Sequence, residues 1–309
     1  MRAHIDTVSI TGSLSAEHAS LALGESTQRE AAVQLLRFVF SHWSLDIAEA
    51  GRINGYLCGF RLSLDGVSLG HVAFGGNCNK AGAHTWQVNL TGTGCAVYTS
   101  AVNRWSNLAD KVQRNGWRIT RCDVALDDLD GNFTVDKAVA WYRDGQFAGQ
   151  GRPPKCSQAG DWVNEVDKDG RTFYVGKRGN AKMLRVYEKG KQLGDADSRW
   201  VRWEIEFRNV DYIISPNVLR DPLRYAVGAY KCMQEIAAVA GERFRAMQKA
   251  ANIQYQALLR HARRSYGKLV HVMVSLGEDV AAVLTEGVAQ EPPRRLLRVS
   301  LEVGHPPVQ

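Results

Sequence analysis

Residues 201–208 read Val-Arg-Trp-Glu-Ile-Glu-Phe-Arg, a strict alternation of apolar and charged side chains. Successive side chains of a strand point to opposite faces. The run therefore reads as a strand with a dry face (Val201, Trp203, Ile205, Phe207) and a charged one (Arg202, Glu204, Glu206, Arg208). Residues 119–127 repeat the pattern, with Cys122, Val124 and Leu126 on one side and Arg121, Asp123, Ala125 and Asp127 on the other. In 183–189, Met183, Arg185, Tyr187 and Lys189 share a face opposite Leu184 and Val186. Strands of this kind belong to antiparallel sheets covered on one side only.

The rest of the chain supplies the cover. Residues 4–12 read as a first strand, and 27–50 carry apolar residues at helical spacing. Residues 55–76 form a hairpin about Asp65-Gly66, a dipeptide suited to positive φ. A strand at 84–95 runs into a glycine turn, and a helix at 96–116 ends at the Asn115-Gly116 cap. The second half repeats the idea: the 117–128 strand, a helix at 134–144, then strands near 161–166, 171–177, 183–189 and 200–208. Helices follow at 220–240, 243–266 and 267–285, the second ending in the basic run 260–268. The expected fold is α+β: an antiparallel sheet, pseudo-duplicated, with helices packed on one face and a helical C-terminal region. The expected divisions are a catalytic domain over 1–215, a helical region over 216–288 and a flexible tail over 289–309.

With 309 residues, 45% of them hydrophobic and 23% charged, the chain has material for a substantial core. Its formal charge of +7 hints at an anionic partner. Six cysteines are scattered without a C-x-x-C pair, which excludes a zinc frame and suggests reduced thiols. No run of eighteen apolar residues exists, so the expected setting is the cytoplasm.

Charge is concentrated around one tyrosine. Lys177, Arg178, Lys182, Arg185, Lys189 and Lys191 stand against Glu188 alone, with Tyr187 among them. The polar faces of the other two strands offer Asp123, Asp127, Glu204 and Glu206. Like charges gathered so closely need a metal or nearby cations. An oxygen-rich set favours a hard ion, Mg²⁺ or Mn²⁺. Arg185 and Lys189 are placed to hold phosphate oxygens while Tyr187 attacks, since a phenol needs its anion favoured before it is a useful nucleophile. Lys177, Arg178, Lys182 and Lys191 are the expected DNA contacts. Tyr174, thirteen residues before Tyr187, is the next candidate nucleophile.

"HIDTVSITG", "LTGTGC", "RCDVALDD", "YVGKRGNAKMLRVYEKGKQ" and "WVRWEIEFR" follow one another in an order that resembles the replication initiation factors (Rep_trans class) of filamentous phages and rolling-circle plasmids. The resemblance implies a palm-like sheet, a bacterial host, metal-dependent nicking of an origin, a 5′-phosphotyrosyl linkage and replication from a free 3′-hydroxyl. It places the tyrosine on Tyr187 and the acidic residues on Asp123, Asp127, Glu204 and Glu206, with Asp128 and Asp6 as other ligand candidates. Expected partners are origin DNA, single-stranded or supercoiled, host replication machinery and a second copy of the chain. Two rival functions remain at this stage: a non-catalytic DNA-binding regulator or single-strand binder on the same fold, and the relaxase of a mobile element.

Overall fold

A computed structural model describes residues 3–13, 25–41, 45–76, 85–99, 103–149, 152–163, 170–210, 212–240, 267–280 and 283. The chain divides into two compact units, Met1–Phe244 and Arg245–Gln309. The expected boundary near 215 lies inside the first. In the second, 267–275 is helical. The expected helix at 243–266 and the tail from 289 lie outside the described residues.

The first unit is built on one ten-stranded sheet in which every pairing is antiparallel. Its strands are β1 (Ala3–Ser13), β2 (Asp46–Ile53), β3 (Tyr56–Leu64), β4 (Val67–Gly76), β5 (Thr85–Leu90), β6 (Arg118–Asp128), β7 (Cys156–Ala159), β8 (Thr172–Val175), β9 (Lys182–Tyr187) and β10 (Val201–Arg208). The order across the sheet is 2-3-4-5-1-6-10-9-8-7. Each half starts at a central strand, β1 or β6. Each then passes through a helix, α1 (Glu25–Phe40) or α4 (Val135–Arg143), and returns as a meander whose last strand pairs with the first.

The other helices are α2 (Gly92–Thr99), α3 (Arg104–Arg114), a short α5 (Lys189–Gln192), α6 (Pro222–Ala229) and α7 (Met233–Ala240). The core lies between helices and the dry face. Trp203 is buried, its ring centroid 5.6 Å from that of Trp141 on α4, and its indole N–H donates to the Phe133 carbonyl at 2.9 Å. Trp86 does the corresponding work in the first half, edge-on to Trp117 at 5.0 Å. The helices over 222–240 belong to this unit, with α6 packed on β1 and β6 and against α7.

Three expectations about element limits change. The helix expected over 27–50 stops at Phe40, where Ser41 takes a left-handed φ of 63°, and 46–53 is strand β2, with Ile47 opposite Leu62. The sequence Asp-Ile-Ala-Glu-Ala suits either state, and pairing with β3 decides it. The glycine turn after β5 is the start of α2: the Thr91 hydroxyl caps it, accepting from Gly94 N–H at 3.3 Å. Asn103, at φ 61°, then separates α2 from α3 within the single helix expected. The strand expected near 161–166 instead lies at Cys156–Ala159, followed by Gly160 at φ 91°; residues 164–169 lie outside the described residues. The hairpin at Asp65-Gly66 forms as expected, with φ of 50° and 72°.

Gly94 tests this packing. A Cβ there would sit 2.1 Å from the Leu69 carbonyl oxygen, a backbone atom with little room to move. Gly94→Ala is expected to lower unfolding free energy by about 1–3 kcal/mol in a urea titration.

Candidate active site

The polar face of β6, β10 and β9 forms rows fixed by register. Asp127 stands opposite Arg202, and Arg202 opposite Tyr187. Ala125 stands opposite Glu204, and Glu204 opposite Arg185. Asp123 is opposite Glu206. A register shift between Ile5 and Thr7 on β1 leaves Asp6 as an extra residue, and such bulges re-aim a side chain. Its carboxylate meets Arg202.

Tyr187 sits at the end of β9, 5% exposed. Its hydroxyl donates to Glu204 Oε2 at 3.0 Å. Arg185 grips both oxygens of Glu204, at 2.6 and 2.7 Å, and its guanidinium carbon lies 4.8 Å from the Tyr187 ring centre. Lys189, on α5, lies 5.4 Å from that centre and donates to Gln192 at 3.0 Å. Burial drives the phenol's pKa far above its ordinary value, with Arg202 opposing and Glu204 adding to the rise. The tyrosine is thus a protonated donor held against a carboxylate. That is the geometry from which a base can take its proton.

Arg202 is the residue the sequence reading did not single out. Its guanidinium grips both oxygens of Asp127, at 2.7 and 2.9 Å, and reaches Asp6 at 2.7 Å. Trp200 adds an indole N–H to Asp127 at 2.7 Å. Burial alone would raise the Asp127 pKa, but Arg202 and its hydrogen bonds overcome this and hold it below the ordinary carboxylate value. His4, beside Asp127 at 3.8 Å, has its pKa lowered by burial. The available signal for Arg202 was its place on the charged face of β10, between the acids of β6 and the tyrosine of β9.

The remaining acids are also paired. Arg121 binds Asp123 at 2.6 Å and Glu206 at 2.9 Å, and Arg208 closes on the other oxygen of Glu206. Asp123 is fully buried, and burial pushes its pKa up to about 7 in spite of Arg121. Asp128 points to the helix side, accepting from Phe133 N–H at 2.6 Å. The four acids named from sequence therefore lie on neighbouring strands, each engaged by arginine. Oxygen donors suit a hard cation, but among the described residues no three His, Cys, Asp or Glu side chains converge as metal ligands would. In this arrangement the acids do not form a metal centre.

The expected DNA contacts are spread out. Lys177 and Arg178 are exposed in the turn after β8, following Gly176 at φ 95°. Lys191 pairs with Glu188 at 3.2 Å. Lys182 projects to the other face of β9, where its amine meets the Ala229 carbonyl and lies 4.1 Å from the Tyr230 ring centre. Tyr174 stands opposite Arg185 on β8.

The sheet thus presents a buried tyrosine to a carboxylate, among cations. The chain belongs to the replication initiation factor family, whose sequence profile matches residues 117–286. No curated protein matches it. Among solved structures, a rolling circle replication initiator protein from Geobacillus stearothermophilus is 23% identical with a TM-score of 0.50, over 71% of this chain and 77% of its own. That is a likeness of fold. DynU16, a putative protein in the dynemicin biosynthetic locus, gives a TM-score of 0.21 at 15% identity, over 66% of this chain and 87% of its own, and supports no argument. Among the described residues, no helix is long and apolar enough to cross a membrane.

Asp127 gives a pH test of the site. Because its folded pKa is depressed, its contribution to stability is present above the unfolded value of about 3.9 and is lost as pH falls through the folded value. Asp127→Asn is expected to lose about 1–3 kcal/mol at pH 7. Its stability should also fall less steeply than wild type below about pH 4, measured by urea midpoints across that range.

Proposed function

We propose that the protein initiates rolling-circle replication by cutting one strand of origin DNA with Tyr187. The observation that carries this reading is the hydrogen bond from the Tyr187 hydroxyl to Glu204, 3.0 Å long and flanked by Arg185. Membership of the replication initiation factor family and the fold shared with a rolling circle initiator support the same reading.

The reaction is a transesterification. Tyr187 Oη forms a bond to the scissile phosphorus while its proton passes to Glu204. The P–O3′ bond breaks, and the leaving oxygen takes a proton from solvent to become a 3′-hydroxyl. The 5′-phosphate remains on Tyr187 as a phosphotyrosyl diester, so no bond energy is given up to water. Arg185 and Arg202 stabilise the charge that builds on the phosphoryl oxygens. Lys189 screens the phenolate from the ring side. Lys177, Arg178 and Lys191 hold the backbone of the DNA. Host polymerase extends the 3′ end.

The test is incubation with supercoiled or single-stranded origin DNA, followed by denaturing gels. A covalent adduct at the 5′ side of the nick is expected, absent in Tyr187→Phe. Glu204→Gln should reduce cleavage by about 10²–10⁴-fold. An adduct that survives Tyr187→Phe moves the nucleophile to Tyr174. No adduct on any origin sequence leaves a DNA-binding regulator.

Cleavage in this reading depends on Mg²⁺ or Mn²⁺, although the arginine-paired acids do not fit a preformed site for the ion. Cleavage is expected to stop in EDTA and return with Mn²⁺. Calorimetric titration of Mn²⁺ into DNA-free protein should show no tight site, since Asp123, Asp127, Glu204 and Glu206 already hold arginine.

A further inference from the structure

Behind the active face, where β9 begins, lies a groove of about 600 Å³ lined by Lys182, Phe207, Tyr212, Arg220, Arg224 and Tyr225. A smaller hollow of about 270 Å³ shares Lys182, Gly228 and Ala229 with it and adds Phe147, Tyr230 and Lys231, so the two adjoin. Cations and rings alternate along this run, a composition that serves neither a hydrophobic ligand nor a metal.

The charge balance is one-sided. Among the described residues Asp221 is the one acid lining either hollow, and its carboxylate caps α6, accepting from Arg224 N–H at 3.1 Å. Arg220 pairs with Asp110. Arg224 and Lys231 make no ion pair among the described residues, and Lys182 faces a carbonyl and a ring instead of an acid. Tyr212, in the lining of the larger hollow, is 45% exposed. The Tyr212 hydroxyl donates to the Ala181 carbonyl at 3.0 Å, which seats the ring beside the turn bearing Lys177 and Arg178.

We infer that this groove binds single-stranded DNA, with phosphates on Lys182, Arg224 and Lys231 and bases stacked on Tyr212 and Tyr225. Aromatic platforms interleaved with cations suit a single strand, whose bases are free to stack. A paired duplex hides those faces. The choice of DNA over another polyanion rests on the proposed strand cutting; the geometry of the groove does not. Lys182 and Tyr187 are five residues apart on β9, on the order of 17 Å, and lie on opposite faces. The groove therefore holds strand flanking the cut and not the scissile phosphate.

The test uses the full chain carrying Tyr187→Phe, so that binding is read without cleavage, and a fluorescein-labelled dT oligonucleotide followed by anisotropy at several salt concentrations. Adding Arg224→Ala and Lys231→Ala should weaken binding at least tenfold and reduce the salt slope by about 1.4, near 0.7 per lost phosphate contact. Adding Tyr225→Leu should weaken binding roughly fivefold or more with the slope unchanged. Unlabelled duplex of equal length should compete poorly. The inference is overturned if the variants bind the oligonucleotide like their Tyr187→Phe parent. It is equally overturned if duplex competes as well as single strand. Unchanged binding with a lowered thermal midpoint would make the groove a packing surface for another part of the chain. The covalent-adduct assay reports separately on the cutting reaction: no adduct with Tyr187 intact, alongside groove-dependent binding, removes the nickase and leaves this site standing.

Discussion

Everything on the active face depends on how a sheet can bury charge. An unpaired ionised group inside a protein is so unfavourable that it loses or gains a proton instead of staying charged. Glu204, Glu206, Asp123 and Arg202 are all less than 9% exposed, and their strands bring each acid within reach of a guanidinium. Acid stands beside acid where Asp123 faces Glu206, and there Arg121 bridges the two. Arg202 is central to this pattern because it joins β1, β6 and β10 through Asp6, Asp127 and its own strand. Guanidinium is the group that can do this, since its planar fork serves two carboxylates at once.

The two halves of the sheet show that the fold does not require those charges. Val8 faces Leu90 in the first half as Cys122 faces Phe207 in the second. Counting from those pairs, Gln87 and Asn89 occupy the places of Glu204 and Glu206, and Ser9 occupies that of Asp123. There the same face is satisfied by neutral groups: Asn89 donates to the Ser9 hydroxyl at 2.8 Å, and Thr11 to the Trp86 carbonyl at 2.6 Å. An antiparallel sheet with this connectivity is therefore content with amides and hydroxyls. The charged half carries a desolvation burden the neutral half avoids, and buried ion pairs are weak sources of stability. The difference between the halves points to chemistry on the side of Tyr187.

How much of this could be read from the chain follows from what sets each feature. Faces have a period of two, so Tyr187, Arg185 and the acids could be sorted from sequence alone. Register could not, because it depends on which strands become neighbours and on bulges such as the one at Asp6. The sequence therefore leaves open whether a metal or nearby cations balance the carboxylates, and register brings Arg121, Arg185 and Arg202 to them. The helix expected over 27–50 failed for a similar reason: local pattern suits a longer helix, and pairing of Ile47 with Leu62 across strands overrides it. The groove around Lys182 was out of reach, since its rings come from β10 and from residues past 210 that only the tertiary fold brings beside β9.

In the proposed reaction, the pairing that stabilises the resting site also ties reactivity to substrate. While Arg185 holds both oxygens of Glu204, burial keeps Tyr187 protonated. A phosphate diester entering the site competes for Arg185, because guanidinium also hydrogen-bonds phosphate oxygens. Each hydrogen bond that moves from Glu204 to the phosphate frees a carboxylate lone pair beside a phenol already hydrogen-bonded to it at 3.0 Å. The arginine that orients the substrate would thereby release the base that activates the nucleophile. In this proposed sequence Tyr187 becomes a nucleophile only when a phosphate is in place to receive it.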